Sequence, residues 1–481
     1  MDKTKPVPCP YEKRCGGCQL RHLSYEEQLR RKMGRCIALL GPFGHVQPIL
    51  GMAEPARYRN KVHAAFGLDR KRRPVCGIYQ PGSHAIVPVE DCLIEDEASD
   101  AVIRQIRDML PRYKIQTFDE RSGTGWLRHV LVRRGFATGQ LMVVLVAISP
   151  IFKLQKLFLK ELLEKFPAIT TVVLNINDRF GPVVLGTREK VLCGPGYIED
   201  VLCGKRFRIS PRSFYQINPL QTEVLYGKAI ELAGLSGTET VLDAYCGIGT
   251  IGICLADKAK QVIGVELNRD AVKDAIGNAR LNGLKNCWFT AGDAGESLEA
   301  MAKDGFRPDV VLMAPPRSGS DERFLNCVLK AAPPKLVYVS CDPETLARDL
   351  VVLTQGGYQV RHIQPVDMFP FTEHVETVCL LSKLHEAKHY INVKVDMDEL
   401  DLTSAEAKAT YKEIEEWVQE HYGFHVTNLN IAQVKQKHGI IERENYNKPE
   451  SEDSRQPGCP EEKVRAIEEA LKYFQIPGLK F

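Results

Sequence analysis

The chain has 481 residues, room for about three domains that each bury a core, and its 44% hydrophobic and 26% charged content is that of a globular protein. No apolar run reaches the roughly 18 residues needed to cross a bilayer, and the polar start Met1-Asp2-Lys3-Thr4-Lys5 lacks the character of a signal peptide, so we expect a cytoplasmic protein with no membrane partner. The formal charge of +3 hides an asymmetry, 16 Lys or Arg against 6 Asp or Glu over residues 1–80 and 12 against 18 from His389 onward; the basic start suits a polyanionic partner and the acidic tail does not.

The first informative stretch is Cys9-Pro10-Tyr11-Glu12-Lys13-Arg14-Cys15-Gly16-Gly17-Cys18, three thiols in a loop whose glycines let the backbone wrap. In a reducing compartment such a set reads as metal ligands rather than disulfides. Cys92 is the best fourth ligand, with Cys36 and Cys76 behind it, and spacing alone separates neither zinc nor an iron–sulfur centre. Ser24-Tyr25-Glu26-Glu27 is a capping box that opens a basic helix to about residue 40. A strand-rich region follows, with strands expected at 58–62, 87–89, 130–132, 141–148 and 171–175 and helices near 97–110 and 152–165. We read residues 1–205 as one α+β region whose arginines and tyrosines suit phosphates and unstacked bases.

From Phe207 the pattern becomes strand–helix alternation, the mark of a parallel, doubly wound sheet, with seven strands at 240–244, 261–265, 287–290, 309–313, 335–340, 358–363 and 377–382. Ligands of such sheets sit beyond the carboxyl ends of the strands. The first strand runs through Asp243 and Tyr245 into Gly247 and Gly249, where the backbone can turn sharply and approach a ligand. The second ends in Glu266, the usual place for a carboxylate that takes two ribose hydroxyls. The loop reads as lacking the full Gly-x-Gly-x-x-Gly spacing and has no Walker lysine, so S-adenosylmethionine is expected over a dinucleotide or a nucleoside triphosphate. After the fourth strand comes Ala314-Pro315-Pro316-Arg317. After the fifth comes Cys341 in Val339-Ser340-Cys341-Asp342-Pro343, where a following helix dipole should favour the thiolate. The loop Phe369-Pro370-Phe371-Thr372-Glu373-His374-Val375-Glu376 brings carboxylates and a histidine to the same edge. Beyond residue 388 we expect a small helical module: a capping box at 403–406 with a helix to about 420, helices at 428–437 and 461–474, and a polar linker over 447–460.

These features resemble the RNA uracil-C5 methyltransferases, and among them the branch with an iron–sulfur cluster that modifies 23S ribosomal RNA. The resemblance rests on Cys9, Cys15, Cys18 and Cys92, on Ser213-Phe214-Tyr215-Gln216-Ile217-Asn218, on Asp243 to Thr250, on Pro315-Pro316-Arg317, on Ser340-Cys341-Asp342-Pro343 and on Thr372 to Glu376. It covers residues 9 to about 383. It implies a Rossmann-like methyltransferase domain at 206–387, an α+β RNA-binding domain before it, and an appended helical module at 388–481. It further implies that Cys341 adds to C6 of the target uracil and that Glu376 removes the C5 proton. Gln216, Asp243, Tyr245, Gly247, Gly249, Glu266 and the residue at 314 would hold S-adenosylmethionine, and the four cysteines a [4Fe-4S] cluster. The expected partner is ribosomal RNA, and the expected state a monomer. The tRNA-directed branch resembles the catalytic half and lacks the cysteines; an RNA-binding or ribosome-assembly protein with weak activity is the other alternative. The chain departs from the family pattern in three places. The small N-terminal β-barrel is missing, the tail lies outside the common core, and Ala314 stands where the family has Asp, which implies an impaired enzyme.

Overall fold

The computed structural model describes residues 2–120, 122–179, 181, 183–383, 411–438 and 459–474. The chain forms two compact units, Met1–Glu386 and Ala387–Phe481. The first is built on two seven-stranded sheets.

One sheet comprises β1 (Lys61–Leu68), β2 (Pro74–Tyr79), β3 (Ile86–Pro88), β4 (Leu127–Arg134), β5 (Leu141–Ala147), β6 (Ile169–Ile176) and β7 (Arg188–Cys193), in the order β3-β2-β1-β4-β5-β6-β7. The unbroken apolar run of β5 is buried along its whole length, as a central strand covered on both faces requires. β5 and β6 are parallel, joined through the helix Gln155–Lys165, and that helix packs with the helix Glu97–Met109 on one face. Sequence patterning missed β2 and β7. β2 contains Pro74 and Gly77, and β7 is an exposed edge strand, Arg-Glu-Lys-Val-Leu-Cys, with no apolar face to read.

β8 (Ile198–Leu202) and β9 (Lys205–Ile209) form an antiparallel hairpin, and Ile198, Leu202, Phe207 and Ile209 pack in a core shared by residues of both seven-stranded sheets. The second sheet comprises β10 (Thr240–Ala244), β11 (Gln261–Glu266), β12 (Cys287–Ala291), β13 (Val310–Met313), β14 (Lys335–Ser340), β15 (Tyr358–Val366) and β16 (Glu376–Lys383), ordered β12-β11-β10-β13-β14-β16-β15. This is the expected Rossmann-like sheet with one correction. β16 inserts between β14 and β15 and runs antiparallel to both. The loop 367–375 before it is too short for the crossover helix a parallel connection needs.

The basic helix Tyr25–Leu40 begins at Ser24 with the expected capping box. It packs away from the sheet that follows it in sequence. Cys36, Leu40 and Val46 join Leu336, Ile363 and Leu381 in the core of the second sheet, and Val46 and Leu50 bridge in parallel to Ile363 and Val366.

In the second unit the helices Tyr411–Tyr422, Asn428–Lys437 and Glu461–Tyr473 enclose a core of Ile414, Val418, Ile431, Val434, Ile467 and Leu471. The capping box expected at 403–406 and the linker residues 447–458 lie outside the described residues.

Candidate active site

β10 ends at a tight, strained turn. Tyr245 has φ +66°, a left-handed conformation uncommon for an aromatic residue, and Gly247 and Gly249 have φ +57° and +80°. Gly249 caps the helix Thr250–Leu255. The Gly252 amide of that helix donates to Asp243 Oδ2 at 2.9 Å. A Cβ at 252 would stand 2.7 Å from the same oxygen, so only glycine lets helix and strand approach this closely. Gly252 completes a Gly-x-Gly-x-x-Gly run with Gly247 and Gly249, which corrects the expectation that the full spacing is absent: the third glycine lies inside the helix, where it permits the close approach to β10. Asp243 is buried and its Oδ1 has no hydrogen-bond partner among the described residues. Burial pushes its carboxyl up to about 7, with the Gly252 amide opposing and Glu266 adding to the rise.

Glu266, at the end of β11, accepts from the Gly247 amide at 3.1 Å and the Asn268 amide at 2.8 Å. Both carboxylate oxygens are thereby held in place while keeping lone pairs for ribose hydroxyls. Asp243, Tyr245, Gly247 and Glu266 line a cavity of about 1180 Å³ at the carboxyl edge of the sheet, and Gln216, Ala314, Cys341 and Glu376 line it too. All the expected cofactor and catalytic residues meet there except Gly249, which shapes the turn from behind. His374 stands outside the lining.

Cys341 lies between β14 and the helix Pro343–Gln355, whose first turn is capped by the Asp342 side chain. The expected lowering of this thiol by the helix dipole does not prevail. Burial pushes it up to about 11, the nearby Glu376 adds to the rise, and Arg317 opposes both. Buried Glu376 is itself pushed up to about 7, with Arg317 again opposing. Desolvation of a thiolate outweighs a dipole of about half a charge when a carboxylate also faces it. Arg317 is thus the one named cation that favours the charged form of both groups.

The loop that delivers Glu376 is anchored by residues no motif predicted. Lys32 Nζ meets Asp367 Oδ1 at 2.5 Å with both side chains buried, and donates to the Phe369 carbonyl at 3.0 Å. Tyr25 donates to Asp367 Oδ2 at 2.8 Å, and Gln28 accepts from the Phe371 amide at 2.8 Å. The helix Tyr25–Leu40 is therefore a bracket for the catalytic loop.

Cys9, Cys15, Cys18 and Cys92 line a second cavity, of about 440 Å³. Among the described residues no three His, Cys, Asp or Glu side chains converge as a single metal ion requires. Burial pushes Cys18 up to about 11 and Cys15 and Cys92 upward as well. Cys36 and Cys76, the reserve ligands, are buried in the cores of the two sheets instead.

Comparison with known proteins decides the family. Residues 183–384 match the family model for tRNA (uracil-5-)-methyltransferase. An uncharacterised RNA methyltransferase of Halalkalibacterium halodurans is 45% identical over 78% of this chain and 83% of its own length. One from Listeria monocytogenes is 46% identical over 79% and 84%. The chain belongs to the RNA uracil-C5 methyltransferase family. Among solved structures, the tRNA (uracil-54, C5)-methyltransferase of Pyrococcus abyssi, in complex with S-adenosyl-L-homocysteine, superposes with TM-score 0.64 at 27% identity, covering 76% of this chain and 86% of that one. As an RNA uracil-C5 methyltransferase the chain uses S-adenosylmethionine. The matched region contains the glycine turn, Ala314, Cys341 and Glu376, and ends where the second unit's sequence begins.

Proposed function

We propose that the protein makes 5-methyluridine in 23S ribosomal RNA through a covalent cysteine–uracil adduct. The observation that carries this reading is that Cys341 and Glu376 line the same cavity as the glycine turn and Glu266. S-adenosylmethionine, held by Gln216, Asp243, Tyr245, Glu266 and the backbone at Gly247, supplies an electrophilic methyl group. Cys341 adds through its sulfur to C6 of the uracil, which turns C5 into an enolate-like carbon able to take the methyl group. Glu376 then removes the C5 proton, and the Cys341–C6 bond breaks to release product. Because burial holds Cys341 largely as a thiol near neutral pH, Arg317 supports its ionisation during the addition. The target base must leave its stack to reach so enclosed a site.

Residues 1–205 would supply most of the RNA surface, 206–387 the transfer domain and 388–481 an appended module. Cys9, Cys15, Cys18 and Cys92 fit a [4Fe-4S] cluster. What supports this is that the four cysteines line one cavity and that the resemblance gives them this role, iron–sulfur centres being held by cysteine thiolates. Its role in this reading is structural. Transfer RNA is the second candidate substrate, favoured by the structural likeness to the Pyrococcus abyssi enzyme; the cysteine set favours ribosomal RNA.

The test is transfer of labelled methyl to unmodified ribosomal RNA and to transfer RNA, followed by mapping of the label. Cys341→Ala should abolish transfer with RNA binding retained. Glu376→Gln should accumulate a protein–RNA crosslink that survives denaturing gels. Transfer by Cys341→Ala would refute the covalent step. Label in transfer RNA alone would reassign the substrate, and tight RNA binding without transfer to either would favour a binding protein.

A further inference from the structure

The cysteine cavity extends well past its cysteines. The thiols lie near Arg21 and Arg59, the cations that act on Cys18. The cavity is also lined by Lys61, His63, Leu131, Val184, Leu185 and Ile217. Lys61 and His63 alternate along β1 on the face opposite the buried Val62 and Ala64, and on β4 they pair with Arg133 and Leu131. Two cations directly opposite on neighbouring strands repel each other. No carboxylate pairs with Lys61 among the described residues, and His63 Nε2 and Arg133 Nε have no hydrogen-bond partner there.

Ile217 lines both this cavity and the catalytic one, and Gln216 lines the catalytic one. Asn60, next to Lys61, holds that stretch: its amide donates to the Ile217 carbonyl at 2.9 Å and its side chain to the Gln216 carbonyl at 3.0 Å. Buried Arg133 donates to the carbonyl of Ser213, just upstream. Glu12 and Glu95 also line the cavity, but neither forms an ion pair with Lys61 among the described residues. A cation with no ion-pair partner, beside apolar side chains and in a cavity that shares Ile217 with the catalytic one, has the chemistry of a nucleotide subsite.

We infer that this cavity, at Lys61, binds a nucleotide flanking the target uridine, with its phosphate on Lys61 and its base against Leu131, Val184, Leu185 and Ile217. The inference rests on the RNA substrate proposed above and adds the place where the neighbouring nucleotide is held. Burial and the repulsion of Arg133 and Arg59 bring Lys61 down to about 8 in the free protein, a cost that a bound phosphate relieves.

The test uses the full chain purified anaerobically and a fluorescein-labelled oligouridylate of about ten nucleotides, with Kd read by anisotropy across a range of salt concentrations. Each phosphate contact to a single strand contributes about 0.7 to the slope of log Kd against log salt. Lys61→Met should flatten the slope by about that amount and weaken binding roughly tenfold at low salt. Lys61→Arg should restore most of the slope. Lys160→Met, on an outer helix where Lys160 pairs with Glu164 at 3.9 Å, should leave it unchanged. An unaltered slope in Lys61→Met overturns the subsite, including the case in which that variant loses iron, which would assign Lys61 to the metal centre. If the unaltered chain bound RNA and methylated it while Lys61→Met kept the slope, only the subsite would fall. Absence of RNA binding by the unaltered chain would overturn both readings.

Discussion

Glu376, the proposed base, carries a thermodynamic penalty. Its carboxyl is buried and raised to about 7, against about 4.5 in an unfolded chain. The folded state therefore binds more protons than the unfolded one between those values, and stability falls as pH rises through that window. Glu376→Gln removes the penalty. We expect it to raise stability by about 1–3 kcal/mol at pH 8 and by little at pH 4.5, measured by denaturant titration; equal gains at both would show that the carboxylate is not destabilised by burial. Ala314 presents the reverse case, a missing acid. It lines the cavity at the end of β13, its amide 3.5 Å from the Ala244 carbonyl, beside stiff Pro315-Pro316. An acid there would add a charge-assisted hydrogen bond of about 1.5–3 kcal/mol. Ala314→Asp should then raise cofactor affinity or single-turnover rate roughly ten- to a hundredfold. Equal values in the two proteins would show that the acid is dispensable here.

Among the elements, the helix Tyr25–Leu40 illustrates why a basic helix need not be a nucleic-acid face. Its Lys32 is sequestered against Asp367, 335 residues away in the chain, and holds the Phe369 carbonyl of the loop that leads to Glu376. Removing one partner of such a buried pair strands the other charge and costs about 3–5 kcal/mol. Lys32→Met should lower the unfolding midpoint accordingly, and Lys32→Met with Asp367→Leu should recover part of the loss. A double variant no more stable than the single one would argue against the pair as the source. The capping box at Ser24 announced the helix because capping is local. The destination of Lys32 was invisible because nothing near it in sequence marks Asp367 as its partner.

At the scale of the molecule, the N-terminal cysteine loop and Cys92 line one cavity together with Lys61, Ile78 and Leu131 of the first sheet. Thiols pushed upward by burial are poor ligands until a metal displaces their protons, so the proposed cluster would couple its binding to folding. The chain purified without oxygen should be brown and carry about four iron and four sulfide per molecule, and removal of iron by a chelator should lower the unfolding temperature of the first unit. Zinc without iron would overturn the cluster assignment. The proposed nucleotide subsite draws on other residues of the same cavity, Lys61 rather than the cysteines, so chelation and Lys61→Met should affect different readouts.

What the sequence determined by itself was local. The strand, glycine turn and helix over 240–255, the carboxylate ending β11, and Cys341 just past β14 were legible because strand alternation, glycine conformation and position after a strand are properties of a few neighbouring residues. The tertiary structure alone decided the rest. It inserted β16 antiparallel, sent Tyr25–Leu40 to the second sheet, and buried Cys341 near Glu376, so that burial and then the carboxylate push the thiol up rather than leave it to the helix dipole. It also brought Lys61 and Ile217 into the lining of one cavity. Burial and charge proximity belong to packed neighbours drawn from distant parts of the chain, and no local pattern encodes which neighbours those will be.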